Sequence, residues 1–146
     1  MNNDMSWPRV GCGAAIIKEG KLLLVRRRRD PEAGFWGLPG GKVDPFEPVI
    51  DATAREIREE LGIVIEPTEL LCLVDQIDRA AGHHWIAPVF RVERYEGTPS
   101  IMEPDALIDL GWFGLDALPT PLTEATKQAA AAVRRLPDDQ TGRPSR

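Results

Sequence analysis

Three glutamates within five residues are the strongest chemical signal in the sequence. In Arg55-Glu56-Ile57-Arg58-Glu59-Glu60-Leu61-Gly62, Glu56, Glu59 and Glu60 stand at i, i+3 and i+4. At about 100° per residue, that spacing brings them to a common face of an α-helix. Such neighbours repel each other by roughly a few tenths of a kcal/mol per pair. Glu59 and Glu60 also occupy the last turn, where the helix dipole favours cations. Local helix physics therefore disfavours the arrangement, and a bound divalent cation would reverse the penalty. Carboxylate oxygens are hard ligands suited to Mg²⁺, with Mn²⁺ as a substitute, commonly shared with substrate phosphates. The competing reading is a solvated acidic face eased by Arg55 and Arg58, and the helix by itself does not decide between them.

The preceding loop favours the cation. Gly37-Leu38-Pro39-Gly40-Gly41-Lys42 sets paired glycines just upstream, where backbone can approach a ligand closely. From Gly41 to Ile63 the chain resembles the Nudix box: Gly, five residues, Glu, seven residues, then Arg-Glu-apolar-x-Glu-Glu-x-Gly-apolar. Gly41, Glu47, Arg55, Glu56, Ile57, Glu59, Glu60, Gly62 and Ile63 fill its fixed places. The resemblance implies the Nudix fold, a mixed β-sheet sandwiched between α-helices, and Mg²⁺-dependent hydrolysis of a nucleoside diphosphate linked to another group. It implies metal ligation by Glu56, Glu59, Glu60 and the carbonyl of Gly40, with one carboxylate, most often Glu56, as general base in some members. Arg55 would orient a carboxylate with its planar fork, while Gly41 and Glu47 would support the loop–helix junction.

A looser resemblance covers residues 84–122. Arg91-Val92-Glu93-Arg94-Tyr95-Glu96-Gly97-Thr98-Pro99, followed by Glu103, resembles the MutT-like branch, in which Glu103 matches a fourth carboxylate near the metal. That branch implies (deoxy)nucleoside triphosphates, modified or pyrimidine ones included, cut to monophosphate and pyrophosphate. Hydrolysis of ADP-ribose or a nucleotide sugar, or nucleotide binding without catalysis, are the alternatives. Arg26 and Arg28 would face the cleft together if their strand continues, and are candidates for substrate phosphate. His84 is a candidate for base or leaving phosphate, and Leu38 for the base pocket.

These groups need elements to hold them. Val10 to Lys18, a turn at Glu19-Gly20, and Lys21 to Val25 predict a hairpin, which runs into Arg26 to Arg29 and a long loop, Asp30 to Pro45. Ile50, Ala54, Ile57 and Leu61 form one apolar stripe of a helix spanning Glu47 to Leu61, apart from the carboxylate face, with Gly62 as its left-handed stop. Ile63 to Ile65, Leu70 to Val74 and Trp85 to Arg94 read as strands, and Pro88 places the last at an edge or a bulge. Gly111 to Phe113 is a short strand, and Thr123 caps a helix to Leu136. Strands and helices mix without regular βαβ alternation, which predicts an α+β fold.

The 146 residues, 42% apolar and 28% charged, suit a single soluble domain over 1–136, with 137–146 as a flexible tail. A net charge of -5 argues against a nucleic-acid polymer as partner, though not against a small nucleotide. No apolar run is long enough for a membrane helix, and the polar N-terminus lacks a signal-peptide core. Two cysteines, Cys12 and Cys72, make neither a disulfide framework nor a zinc site, so a cytoplasmic location is expected; the expected assembly is a monomer or homodimer.

Overall fold

The computed structural model describes residues 7–137. β1 (Arg9–Lys18) and β2 (Lys21–Arg27) form a hairpin through Glu19 and Gly20, both at positive φ, 53° and 75°. Two left-handed residues give a turn whose twist matches its strands. β3 (Trp36–Gly37) and β4 (Gly40–Lys42) are short strands inside the segment that reads as loop. α1 (Val49–Leu61), β5 (Val64–Asp78), β6 (His83–Glu96), β7 (Leu107–Gly114) and α2 (Glu124–Arg134) follow.

The sheet runs β3-β2-β1-β6-β5, with β4 added beside β1 and β7 beside β2. β1 and β6 are parallel and the other pairs antiparallel, so the sheet is mixed. Alternate residues of β1 serve its two faces. Ala14 and Ile16 pack with Ile57 and Leu61 of α1, whereas Ala15 and Ile17 pack with Ala129 and Val133 of α2. Burial on both sides explains why the strand reads as a continuous run of small and apolar residues. The expected α+β fold, a mixed sheet between helices, is the fold observed.

Helix ends follow their sequence signals. Gly62 terminates α1 at φ 69°, its N–H donating to the Arg58 carbonyl. The Thr123 side chain accepts from the Thr126 N–H at the start of α2. The start of α1 differs from expectation: Pro48 occupies the N-cap, the helix begins at Val49, and Ile50 is 41% exposed. Thr53 takes the buried place instead, and its hydroxyl donates to the Val49 carbonyl at 2.8 Å. A threonine that satisfies its own hydroxyl this way can be buried, which an apolar pattern does not register.

Pro88 lies on β6, an interior strand, not at an edge. Its missing N–H falls where the β1 ladder is interrupted between Val10/Ile86 and Gly13/Val89; on the other side Pro88 pairs with Leu73 of β5, next to a register shift between Leu70 and Cys72. Of the tail expected at 137–146, all but Pro137 lies outside the described residues. Among the described residues, no helix is long and apolar enough to cross a membrane.

Candidate active site

The site begins with the glycine turn. β4 pairs with β1 through Gly11/Lys42, Cys12/Gly41 and Gly13/Gly40, which pins the turn against the sheet. The approach is too close for any side chain at Gly40, where a Cβ would lie 2.1 Å from the Cys12 carbonyl oxygen. At Gly41 a Cβ would lie 2.2 Å from Glu56 Oε2. The missing side chain of Gly41 thus makes room for the carboxylate of Glu56.

Arg55 ties this turn to the helix. Its Nε and Nη2 donate to the two carboxylate oxygens of Glu47 at 2.8 and 2.9 Å, a bidentate pair, and Nη2 also reaches the Lys42 carbonyl at 3.1 Å. Nη1 donates to Glu56 Oε1 at 3.0 Å and Glu59 Oε2 at 3.2 Å. The guanidinium beside it holds the Glu47 carboxyl below its ordinary range. Those acceptors, Glu47 first, in turn hold the Arg55 proton more tightly than usual.

The three helical glutamates do not share one solvated face. Glu59 has 47% of its side chain exposed and Glu56 18%, while Glu60 is buried. Glu60 lies beside Ile57 and Leu61 on the core side of α1, where its Oε1 accepts the Gly40 N–H at 2.8 Å. Burial pushes its carboxyl up to about 8; Glu56 and Glu103 add to the rise, and the Gly40 N–H and Arg27 oppose it. Glu56 is raised too, mainly by burial, with Glu59 and Glu103 contributing and Arg55 opposing.

Glu103 joins from the segment between β6 and β7. The Ser100 and Met102 N–H groups donate to the Leu61 and Glu60 carbonyls at 3.1 and 2.9 Å, tying this segment to the end of α1. The structure therefore gathers Gly40, Gly41, Glu47, Arg55, Glu56, Glu59, Glu60 and Glu103 into one region.

The remaining candidates sit elsewhere. Arg26 Nε donates to the Gly34 carbonyl and Arg28 Nε to the Pro104 carbonyl, each at 3.0 Å. A register shift between Arg26 and Arg27 interrupts the strand alternation on which their pairing was expected. Arg27 is the arginine whose charge acts on Glu60, and a bulge set by tertiary pairing left no local signal for it. The Leu38 N–H donates to Thr126 Oγ1, and its partly buried side chain packs against the cluster beneath α2. His84 Nε2 pairs with Asp75 Oδ1 at 2.7 Å, in an open groove of about 340 Å³ that Trp7, Arg9 and Trp85 also line. This groove adjoins the glycine turn: a Cβ on Gly11 would meet both Gly41 O at 3.2 Å and the Trp85 ring at 3.6 Å.

Among the described residues no three acidic, histidine or cysteine side chains already form a metal-holding group, because Glu56 engages Arg55 and Glu60 the Gly40 N–H. The donor set fits a hard divalent cation in its chemistry. It is all oxygen, it is anionic, and two of its carboxyls are raised by desolvation that a cation would offset.

Residues 7–136 match the NUDIX domain, and the chain belongs to that family. A solved MutT NUDIX hydrolase from Burkholderia pseudomallei is 58% identical, superposing with a TM-score of 0.86 over 87% of this chain and 98% of that one. An ADP-ribose pyrophosphatase of Methanocaldococcus jannaschii is 34% identical over 112 residues, covering 77% of this chain and 65% of the relative. The CTP pyrophosphohydrolase of Escherichia coli is 52% identical over 52 residues, 34% of this chain and 38% of the relative. The chain thus spans less than two thirds of either curated relative.

Proposed function

We propose that the protein is a Mg²⁺-dependent hydrolase of (deoxy)nucleoside triphosphates, modified or pyrimidine ones included, releasing monophosphate and pyrophosphate. The observation that carries this reading is the crowding of Glu56, Glu60 and Glu103 about the Gly40-Gly41 turn, with two carboxyls held above their ordinary range. Glu56, Glu59, Glu60 and the Gly40 carbonyl are the groups that would hold the metal. A bound divalent cation neutralises phosphate oxygens and acidifies a water molecule. Glu56 has the traits of the base that takes the water's proton: it is half-buried, its carboxyl is raised, and Arg55 fixes its direction. Glu47 keeps Arg55 in place.

For the substrate's other end, the groove of Trp85 and His84 offers an aromatic edge and a polar rim next to the glycine turn. Arg26 stands at the end of β2 with guanidinium hydrogens beyond the one given to Gly34, a fit for phosphate oxygens. The likeness to a CTP pyrophosphohydrolase, over 52 residues, supports triphosphates. A second reading, ADP-ribose hydrolysis, is favoured by the Methanocaldococcus jannaschii relative. Incubation with triphosphates, ADP-ribose and nucleotide sugars, with product identification by chromatography, separates the two. Monophosphate with pyrophosphate is expected. Turnover confined to ADP-ribose, giving AMP and ribose phosphate, would overturn the first reading in favour of the second.

A further inference from the structure

We infer that Arg28 is a positioning residue for Glu103 and not a contact for substrate phosphate; this rests on the metal-dependent reading above. Arg28 lies one residue beyond β2, past the register shift that separates it from Arg26. Its Nε donates to the Pro104 carbonyl at 3.0 Å, and its backbone N–H to the Ala106 carbonyl at 2.9 Å. Both acceptors belong to the segment between β6 and β7, immediately after Glu103.

The other side of Glu103 is anchored to α1, through the Met102 N–H on the Glu60 carbonyl and the Ser100 N–H on the Leu61 carbonyl. Between these anchors the Ala106 and Leu107 N–H groups both donate to the Glu103 carbonyl at 3.0 Å, closing a tight turn. Glu103 is thus suspended between the end of the carboxylate helix and the end of β2. Its charge acts on both Glu56 and Glu60, so its placement matters to the site.

Ordering a free surface segment costs backbone entropy at every residue. The α1 anchors cover only the segment's first half; Arg28 holds the second twice, by its backbone N–H on Ala106 and by its guanidinium on Pro104, the carbonyl next to Glu103. A donor carrying full charge makes a stronger bond to a carbonyl than a neutral one. The direction of that bond depends on the planar guanidinium, which lysine does not reproduce.

Arg28→Ala, Arg28→Lys, Glu103→Gln and the Arg28→Ala/Glu103→Gln double variant test this. The readouts are kcat and KM for the best nucleotide, and Mn²⁺ binding without substrate by the loss of the free-ion electron paramagnetic resonance signal. Arg28→Ala is expected to weaken Mn²⁺ binding and lower kcat by roughly 10-fold each, as Glu103→Gln does, with KM nearly unchanged. The double variant should be no worse than Glu103→Gln alone, because both changes remove one function. Arg28→Lys keeps the charge and should still show the Mn²⁺ defect. A rise in KM with Mn²⁺ binding intact, rescued by lysine, would overturn the inference in favour of a phosphate contact. Additive losses in the double variant would overturn it as well. If no nucleotide is hydrolysed, the parent reading fails, yet Mn²⁺ binding still decides: weakening shared by Arg28→Ala and Glu103→Gln supports the positioning role, and wild-type binding in Arg28→Ala rejects it.

Discussion

Glu60→Gln isolates the cost of burying one carboxylate against a glycine turn. The carboxyl moves from an ordinary 4.5 to about 8 on folding, a gap of about 3.5. At about 1.4 kcal/mol per tenfold step, the metal-free folded state bears up to about 5 kcal/mol once Glu60 is ionised in both states. Relaxation and water entry reduce that ceiling, so about 2–3 kcal/mol is the working magnitude. The sign follows from which state holds the proton longer. Below about 4.5 both states are protonated and nothing is lost. Between 4.5 and about 8 the unfolded chain releases its proton first, so stability falls as pH rises, and above about 8 the full cost is present. Glutamine carries no proton to lose, and its Oε1 can still accept the Gly40 N–H now bonded at 2.8 Å. Glu47, lowered by Arg55, has the opposite pH dependence, but it is common to both proteins and cancels in their difference. Thermal melting in EDTA should show Glu60→Gln above wild type by about 5–10 °C near pH 8.5, taking about 3 °C per kcal/mol for a chain of this size. Near pH 4.5 the two should agree within about 2 °C. Parallel pH curves, or a variant that melts lower at pH 8.5, would show that burying the Glu60 carboxylate carries no such cost.

Other substitutions probe neighbouring links. Gly41→Ala puts a methyl group 2.2 Å from Glu56 Oε2, so turnover should fall roughly 100-fold while the melting temperature drops little, because a side-chain end can move aside. Gly40→Ala, meeting the Cys12 carbonyl at 2.1 Å, should instead destabilise the fold, visible as a large loss of melting temperature. Phe46 is fully exposed at φ 67°, so Phe46→Gly should stabilise by about 0.5–1 kcal/mol in urea titration, having strain to release and no packing to lose. Arg55→Lys keeps the charge but breaks the bidentate grip on Glu47 and the bond to Lys42, and should cost roughly 10- to 100-fold in kcat.

The site's chemistry was legible because residue types at fixed spacing carry it. The Glu56, Glu59, Glu60 pattern, the paired glycines, Glu47 and Arg55 all lie within 21 residues and the structure brings them together, whereas the bidentate pairing of Arg55 with Glu47 comes from the structure alone. Helix ends were legible for a similar reason, since Gly62 and Thr123 act through local backbone bonds. What sequence patterning missed depends on partners distant along the chain. Glu60 faces inward because Gly40, 20 residues away, supplies its hydrogen bond. β4 exists only by pairing with β1, 29 residues from Cys12 to Gly41. The prominence of Arg27 over its neighbours follows from a register shift against β7. Thr53 was overlooked because a polar side chain bonded to its own helix behaves as an apolar one.

In the proposed function, this carboxylate cluster would hold the divalent cation on which phosphoanhydride hydrolysis depends. The most direct measurement compares wild type with Glu59→Gln in the release of pyrophosphate from a nucleoside triphosphate, each across a Mg²⁺ titration starting from EDTA. Glu59 is suited to the comparison because, half exposed, it can change with little effect on the core. Saturable, Mg²⁺-dependent release by wild type, with a loss of at least roughly 100-fold in Glu59→Gln at unchanged melting temperature, is the predicted result. Turnover that persists in EDTA, or that survives the substitution undiminished, would contradict it.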